Sequence, residues 1–240
     1  MKAIQIEKTG GPEVLQLVDL PTPEPGPGEV RIRNRAIGVN YIDIYFREGL
    51  YPTTCPSGLG GEGAGEIEAI GEGVTRFKTG DRVAYAARPL GAYAETHVLA
   101  ADQVARLPDD ISFEVAAAGL LKGMTTEFLV RRCYPLKAGE VALVWAAAGG
   151  VGSILTQWCH AIGAEVIGVV GSDAKADFAR RNGCDHVLNH RTDDIAARVR
   201  EITGGAGARV SYDGVGKASF EASLNSLGRR GMLVSFGNAS

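Results

Sequence analysis

The stretch Val141-Ala142-Leu143-Val144-Trp145-Ala146-Ala147-Ala148-Gly149-Gly150-Val151-Gly152 decides the architecture of the second half of the chain. An apolar strand runs into a glycine-rich turn, and apolar residues then return at helical spacing: Val151, Ile154, Leu155, Trp158 and Ile162. Against the spacing G-x-G-x-x-G, the three positions are Ala147, Gly149 and Gly152. Gly149 lets backbone N–H groups approach a pyrophosphate, and Gly152 lets the helix pack closely on the strand. The helix N-terminus then faces the anion with its partial positive charge. A glycine motif alone is weak, because Gly-rich turns join many strands to helices. Here it follows a strand, opens a helix and lies inside a βαβ unit, which is the context a dinucleotide site requires.

Downstream of this loop, strands and helices alternate. Strands are expected at 141–146, 165–170, 186–188, 209–213 and 232–236. Helical spacing recurs in Ile195, Val199 and Ile202, and again in Phe220, Leu224 and Leu227. Strands joined by helices imply a parallel sheet covered on both faces. Upstream, the pattern differs. Short runs rich in Val, Ile and Tyr at 29–39, 65–70, 81–86 and 92–99 are separated by Gly and Pro, with one helix at 41–48. The Pro-rich segment Pro21-Thr22-Pro23-Glu24-Pro25-Gly26-Pro27-Gly28 is read as a surface loop of a β-rich domain and not as a linker. Ser112 is an expected N-cap for a helix at 113–121, with a second helix at 125–132.

Composition limits the function classes. The 240 residues carry 28 acids against 25 bases, a net charge of −3, with 45% hydrophobic and 22% charged residues. This fits a globular protein and excludes a disordered or collagen-like one. The small acidic excess supplies no general attraction to nucleic acid or anionic membranes. No signal-peptide core opens the chain, and no run approaches the ~18 apolar residues of a membrane span. Cys55, Cys133, Cys159 and Cys184 form no C-x-x-C pair and are read as reduced thiols of a cytoplasmic protein, buried as small hydrophobes.

The end of the second expected strand tests the ribose contact. A nicotinamide site for the unphosphorylated cofactor places an acid about 20 residues after the glycines. This chain has Val170 there, followed by Gly171-Ser172-Asp173-Ala174-Lys175. A small turn, a hydroxyl and a lysine suit a 2′-phosphate. Asp173 runs against this reading unless it caps the next helix.

These residues carry a resemblance over the whole chain. The matching stretches are Gly10-Gly11-Pro12-Glu13-Val14-Leu15, Gly38-Val39-Asn40-Tyr41-Ile42-Asp43, Ser57-Gly58-Leu59-Gly60 and Gly80-Asp81-Arg82-Val83. They continue through Leu121-Lys122-Gly123-Met124-Thr125, Ala146 to Gly152, Tyr212-Asp213-Gly214-Val215-Gly216 and Ser235-Phe236-Gly237-Asn238. The chain resembles the quinone oxidoreductase (zeta-crystallin-like) branch of the medium-chain dehydrogenase/reductase superfamily. The resemblance implies an α/β protein with a β-rich GroES-like catalytic domain over residues 1–121. A doubly wound parallel Rossmann domain binding NADP follows over 122–240, with the cofactor, NADPH, in a cleft between the two. Doubly wound dinucleotide folds commonly have about six strands, and five are expected before Ser240. The expectation is therefore a C-terminally truncated chain that lacks the last strand and return segment, with apolar surface exposed near 232–236. For the full-length protein the resemblance implies a homodimer.

Zinc alcohol dehydrogenases share the superfamily, but the residues decide against that branch. Where those enzymes carry a cysteine ligand this chain has Asn40, and where they carry Gly-His-Glu it has Gly60-Gly61-Glu62. His97, His160, His186 and His190 have no ligand spacing, so no metal is expected. By resemblance, Asn40, Ile42 and Tyr45 lie beside the nicotinamide and the substrate. Asn40 would donate to the quinone oxygen, while Tyr45 either donates, forms an aromatic wall or simply packs its helix. Lys122 and Thr125 match cofactor-side positions; Gly149, Gly150 and Val151 match the pyrophosphate loop. Gly171, Ser172 and Lys175 are placed at the phosphate end by the turn chemistry given above, and by resemblance Phe236, Gly237 and Asn238 match the strand end bordering the nicotinamide. His190 departs from the family, which commonly has Tyr at this position beside the adenosine phosphate. The implied activity is NADPH-dependent, zinc-free quinone reduction. The alternatives are an NADPH enone or alkenal double-bond reductase and a non-catalytic, crystallin-like NADPH-binding protein.

Overall fold

The computed structural model describes residues 1–240, which divide into two compact units, Met1–Leu121 and Lys122–Ser240. No helix is long and apolar enough to cross a membrane.

In the first unit, β1 (Lys2–Ile6), β2 (Gln16–Asp19), β3 (Glu29–Gly38), helix α1 (Tyr41–Glu48) and β4 (Ser57–Gly58) precede β5 (Glu62–Ile70), β6 (Arg82–Ala86), β7 (Thr96–Ala100) and β8 (Val104–Arg106). The sheet order β7-β3-β5-β6-β8 is antiparallel throughout, and β2-β1-β4 forms a second small sheet. Alternation along β3 sends Val30 and Ile32 into a core with Ile67, Val83, Tyr85 and Leu99. Arg31, Arg33 and Arg35 alternate to the other face, where they pair with Glu66 and Glu68. The Pro-rich segment forms no regular element and is largely exposed, as a surface loop should be.

Helix α2 (Phe113–Phe128) starts with the Val115 N–H donating to Ser112 Oγ at 3.2 Å, the cap expected from the sequence. The two expected helices are one. Gly123 weakens a helix by about 1 kcal/mol relative to Ala, but without proline the backbone ladder continues. A π turn, Leu129–Cys133, follows α2.

The second unit alternates β9 (Val141–Trp145), α3 (Gly150–Ile162), β10 (Glu165–Val170), α4 (Asp173–Arg181), β11 (His186–Asn189), α5 (Ile195–Ile202), β12 (Ala208–Asp213), α6 (Phe220–Ser226) and β13 (Leu227–Ser235). All five strands are parallel in the order β11-β10-β9-β12-β13. The order reverses between β9 and β12, the place where doubly wound sheets bind ligands at their strands' carboxyl ends. Two-sided burial explains the near-continuous apolar text of β9 and β10. Ala142 and Val144 pack toward Leu155 and Cys159 of α3, while Leu143 and Trp145 pack toward Ile195 and Val199 of α5. Burial raises the Cys159 thiol to about 12 and also pushes up Cys184, which leaves both as inert hydrophobes.

β13 starts earlier than the sequence pattern suggests. Its pairing with β12 is irregular between Ala208 and Val210, and Arg230 adopts a left-handed φ of 61° in the bulge. Of the apolar surface expected at 232–236, Met232 is exposed, but Val234 is buried and Phe236 half-buried. Alternation along the strand turns Val234 inward, and the Phe236 ring covers Gly214.

Candidate cofactor groove and acceptor-side cluster

The glycine loop leaves β9 through Ala146, whose φ of 50° turns the chain sharply. Gly149 N–H donates back to Ala146 O at 2.7 Å, and Ser153 N–H donates to Gly149 O at 2.9 Å to open α3. A Cβ on Gly152 would lie 2.1 Å from Ala146 O, so only glycine allows the helix to approach its strand this closely. Gly150 occupies the first turn of α3, with the Lys122 side chain lying over it: a Cβ there would meet Lys122 Cε at 3.0 Å. Val151 is half-buried against the core beneath the loop.

A groove of about 610 Å³ opens at the carboxyl ends of β9 and β10. Gly149, Gly171, Ser172, Lys175 and His190 all line it. Ser172 is the N-cap residue of α4, in extended backbone and without a side-chain capping bond. The expected cap, Asp173, is the first helical residue instead. Asn189 Nδ2 donates to its carboxyl oxygen at 3.2 Å. His190 stands against the turn, since a Cβ on Gly171 would come within 3.0 Å of its Nε2. Arg191 also lines the groove and was not among the residues expected there; its guanidinium directly after His190 in the chain was the available signal.

The far wall belongs to the loop after β12. Asp213 is buried and accepts from Val215 N at 2.9 Å, Gly216 N at 3.1 Å, Ser219 Oγ at 2.7 Å and Ser223 Oγ at 2.6 Å. This carboxyl group shapes the segment that brings Val215, Ala218 and Ser219 into the groove. Phe236, Gly237 and Asn238 do not line the groove; they pack on the same loop. A Cβ on Gly237 would lie 2.4 Å from Gly214 O, and one on Gly216 would lie 3.3 Å from the Asn238 Cα. Thr125 is half-buried on α2 and does not line the groove.

A second cluster lies in the first unit at the start of α1. Asn40 is the N-cap residue and is buried. Its backbone N–H donates to Asp43 Oδ2 at 2.9 Å, and the same oxygen accepts from the Tyr93 hydroxyl at 2.6 Å. Burial, reinforced by the Asp43 carboxyl group, holds the Tyr93 hydroxyl far above its usual pKa, so it stays a donor. Asn40 Nδ2 donates to Glu62 Oε2 at 2.7 Å. Tyr45 is buried, with edge-to-face contacts to Tyr41 at 5.6 Å and Tyr51 at 5.3 Å between ring centroids. Ile42 is partly exposed on the same helix. No three His, Cys, Asp or Glu side chains group to hold a metal ion.

Residues 26–109 match the alcohol dehydrogenase GroES-like domain, and residues 150–240 match the zinc-binding dehydrogenase family. The quinone oxidoreductase of Pseudomonas aeruginosa is 55% identical over 240 residues, covering 100% of this chain and 74% of that protein. The chain belongs to the quinone oxidoreductase family. Among solved quinone oxidoreductases, the Escherichia coli enzyme complexed with NADPH superposes with a TM-score of 0.98 at 50% identity. That match covers 100% of this chain and 74% of the other. The 2-haloacrylate reductase of a Burkholderia species is a further relative, 43% identical across 99% of this chain and 73% of its own length.

Proposed function

We propose that this quinone oxidoreductase family member reduces quinones with NADPH and without zinc. The observation that carries the reading is the phosphate end of the groove. Val170 stands where an acid would select the unphosphorylated ribose, and Ser172, Lys175, His190 and Arg191 line the same space. The fit to the cofactor is supported by the close Gly152 approach to Ala146 O and by α3 opening at the glycine loop, since a helix N-terminus favours an anion.

NADPH supplies the hydride. Gly149, Gly150 and Val151 hold the pyrophosphate; Gly171, Ser172, Lys175 and His190 hold the 2′-phosphate and its ribose. Lys122 and Thr125 serve the cofactor side, and Phe236, Gly237 and Asn238 present backbone beside the nicotinamide. Asn40 acts on the quinone oxygen through its carboxamide as negative charge develops there, with Ile42 and Tyr45 as apolar wall. A quinone accepts hydride readily, so a neutral donor suffices where a less reactive carbonyl would need a Lewis acid.

A second reading is reduction of an activated carbon–carbon double bond, favoured by the 43% identity to 2-haloacrylate reductase. A panel of quinones and enones with NADPH, run with and without a chelator, tests both. Faster turnover of quinones unchanged by the chelator supports the first reading; preference for enones replaces it with the second. Dependence on added zinc refutes the zinc-free assignment. NADPH binding without turnover of either class refutes an enzymatic role. We also propose a cytoplasmic setting, supported by four free cysteines, and, for the full-length protein, a homodimer, supported by the family resemblance and tested by sedimentation of that full-length protein.

A further inference from the structure

We infer that Glu62 is a positioning residue for the acceptor side: its buried carboxyl group holds the Asn40 carboxamide in the single orientation used on the quinone oxygen. The inference rests on the assignment of Asn40 to that oxygen. Glu62 opens β5 and has no exposed surface, paired between Gly38 of β3 and Ala86 of β6. Its Oε2 accepts from Asn40 Nδ2 at 2.7 Å, and its Oε1 accepts from the Leu121 backbone N–H at 2.7 Å. Each oxygen therefore has a donor on a different element, and the carboxyl plane is set by both.

The space for this carboxyl group is made by a glycine. A Cβ on Gly38, two residues before Asn40, would lie 2.1 Å from Glu62 Oε2 and 2.3 Å from Ala117 O. Any side chain there would push Glu62 away from Asn40 or from α2. Asn40 is held a second time through its backbone, whose N–H donates to Asp43 Oδ2. Its main chain and its side chain thus depend on two separate carboxyl groups.

A carboxamide needs such a partner, because its terminal torsion is soft and nearly two-fold. A flip exchanges the amide oxygen for the NH₂ group and reverses what the side chain offers an acceptor. A carboxylate only accepts hydrogen bonds, so it admits the NH₂ side and excludes the oxygen. Burial removes the water that would otherwise compete for the amide.

The test compares the unaltered chain with Glu62→Gln, Asn40→Ala and the double variant. It measures kcat with 1,4-benzoquinone and the dissociation constant of NADPH. Gln fills the same volume, yet its NH₂ must face either Asn40 Nδ2 or the Leu121 N–H. Glu62→Gln should lower kcat about tenfold or more, as misplacement of a reacting group does. NADPH affinity should stay within about twofold, and in the Asn40→Ala background the Glu62 change should cost less than about twofold. Losses that multiply in the double variant, or a normal kcat for Glu62→Gln beside an impaired Asn40→Ala, would overturn the Glu62 role alone. A normal kcat for Asn40→Ala would remove the Asn40 assignment and this inference with it. If Glu62→Gln does not fold, NMR of the unaltered chain decides. One Asn40 Nδ2 proton should be shifted downfield and slow to exchange, whereas two equivalent, rapidly exchanging protons would refute the bond.

Discussion

Replacing Asp213 should separate two consequences of one buried carboxyl group, and its partners set the size of the effect. In Asp213→Ala, the N–H groups of Val215 and Gly216 and the hydroxyl of Ser223 lose their acceptor, while Ser219 Oγ still has Gly216 O at 3.0 Å. Each buried group left unpaired costs about 1–3 kcal/mol, and partial water entry recovers some of it, so the net loss should be about 3–5 kcal/mol. For a chain of this size, each kcal/mol lowers Tm by roughly 2–4 °C, giving a fall of about 6–20 °C. Asp213→Asn should be far milder. Its amide oxygen can keep the two backbone donors, and its NH₂ can donate to Ser223 once that hydroxyl rotates, for a cost of about 1 kcal/mol. Urea unfolding followed by circular dichroism measures both variants, and NADPH titration of the folded Asn variant reads the groove wall. Equal stability losses for Ala and Asn, or a loss below about 1 kcal/mol for Ala, would refute the acceptor role.

Gly152→Ala should cost about 1–3 kcal/mol and weaken NADPH binding, because the new methyl meets Ala146 O at 2.1 Å; thermal unfolding with and without NADPH checks it. Lys175→Ala should weaken NADPH roughly ten- to hundredfold and NADH much less, from a charge-assisted contact of about 1.5–3 kcal/mol. Equal losses in the two titrations would mean that Lys175 only supports the loop. Burial lowers the pKa of His97 despite its bond to Pro89 O, so the fold holds the neutral ring. Below about pH 6.5 the unfolded chain then binds more protons than the folded one, and stability should fall by up to about 1.4 kcal/mol per pH unit until the depressed folded value is reached. Urea midpoints across that range should flatten in His97→Gln.

The hydrogen-bonded cluster around Asn40 marks the limit of what local sequence carries. Asn40 and Tyr45 stand out by resemblance as acceptor-side candidates, whereas Glu62 enters only within Gly60-Gly61-Glu62, where the missing histidine rules out a metal ligand and nothing local ties the carboxylate to Asn40. The sequence pattern starts that strand at residue 65, whereas β5 starts at Glu62 through pairing with Gly38 and Ala86, residues distant in the chain. Arg191 was missed for a related reason: exposed arginines are common, and only a groove gives one of them a position. Asp173 is the converse. An Asp before a helix is a good cap by type, yet Ser172 takes that place and Asn189 takes the Asp173 side chain.

Periodicity and glycine spacing determined the strands of the second half and the helices α3 and α5, because burial on a sheet or helix face repeats every two or every 3.6 residues and is written locally; α4 was not read from such a pattern, and Leu227, read with the last helix, opens β13 instead. The same local chemistry determined the turn after β9, where a helix must pass within contact of a backbone carbonyl. Only the tertiary structure decided the strand order β11-β10-β9-β12-β13 and the merging of two expected helices into α2. It also decided the use of Gly38, Glu62 and Leu121 around Asn40. Those outcomes depend on pairings and hydrogen bonds between residues far apart in the chain, and such partners exist only after the elements have packed.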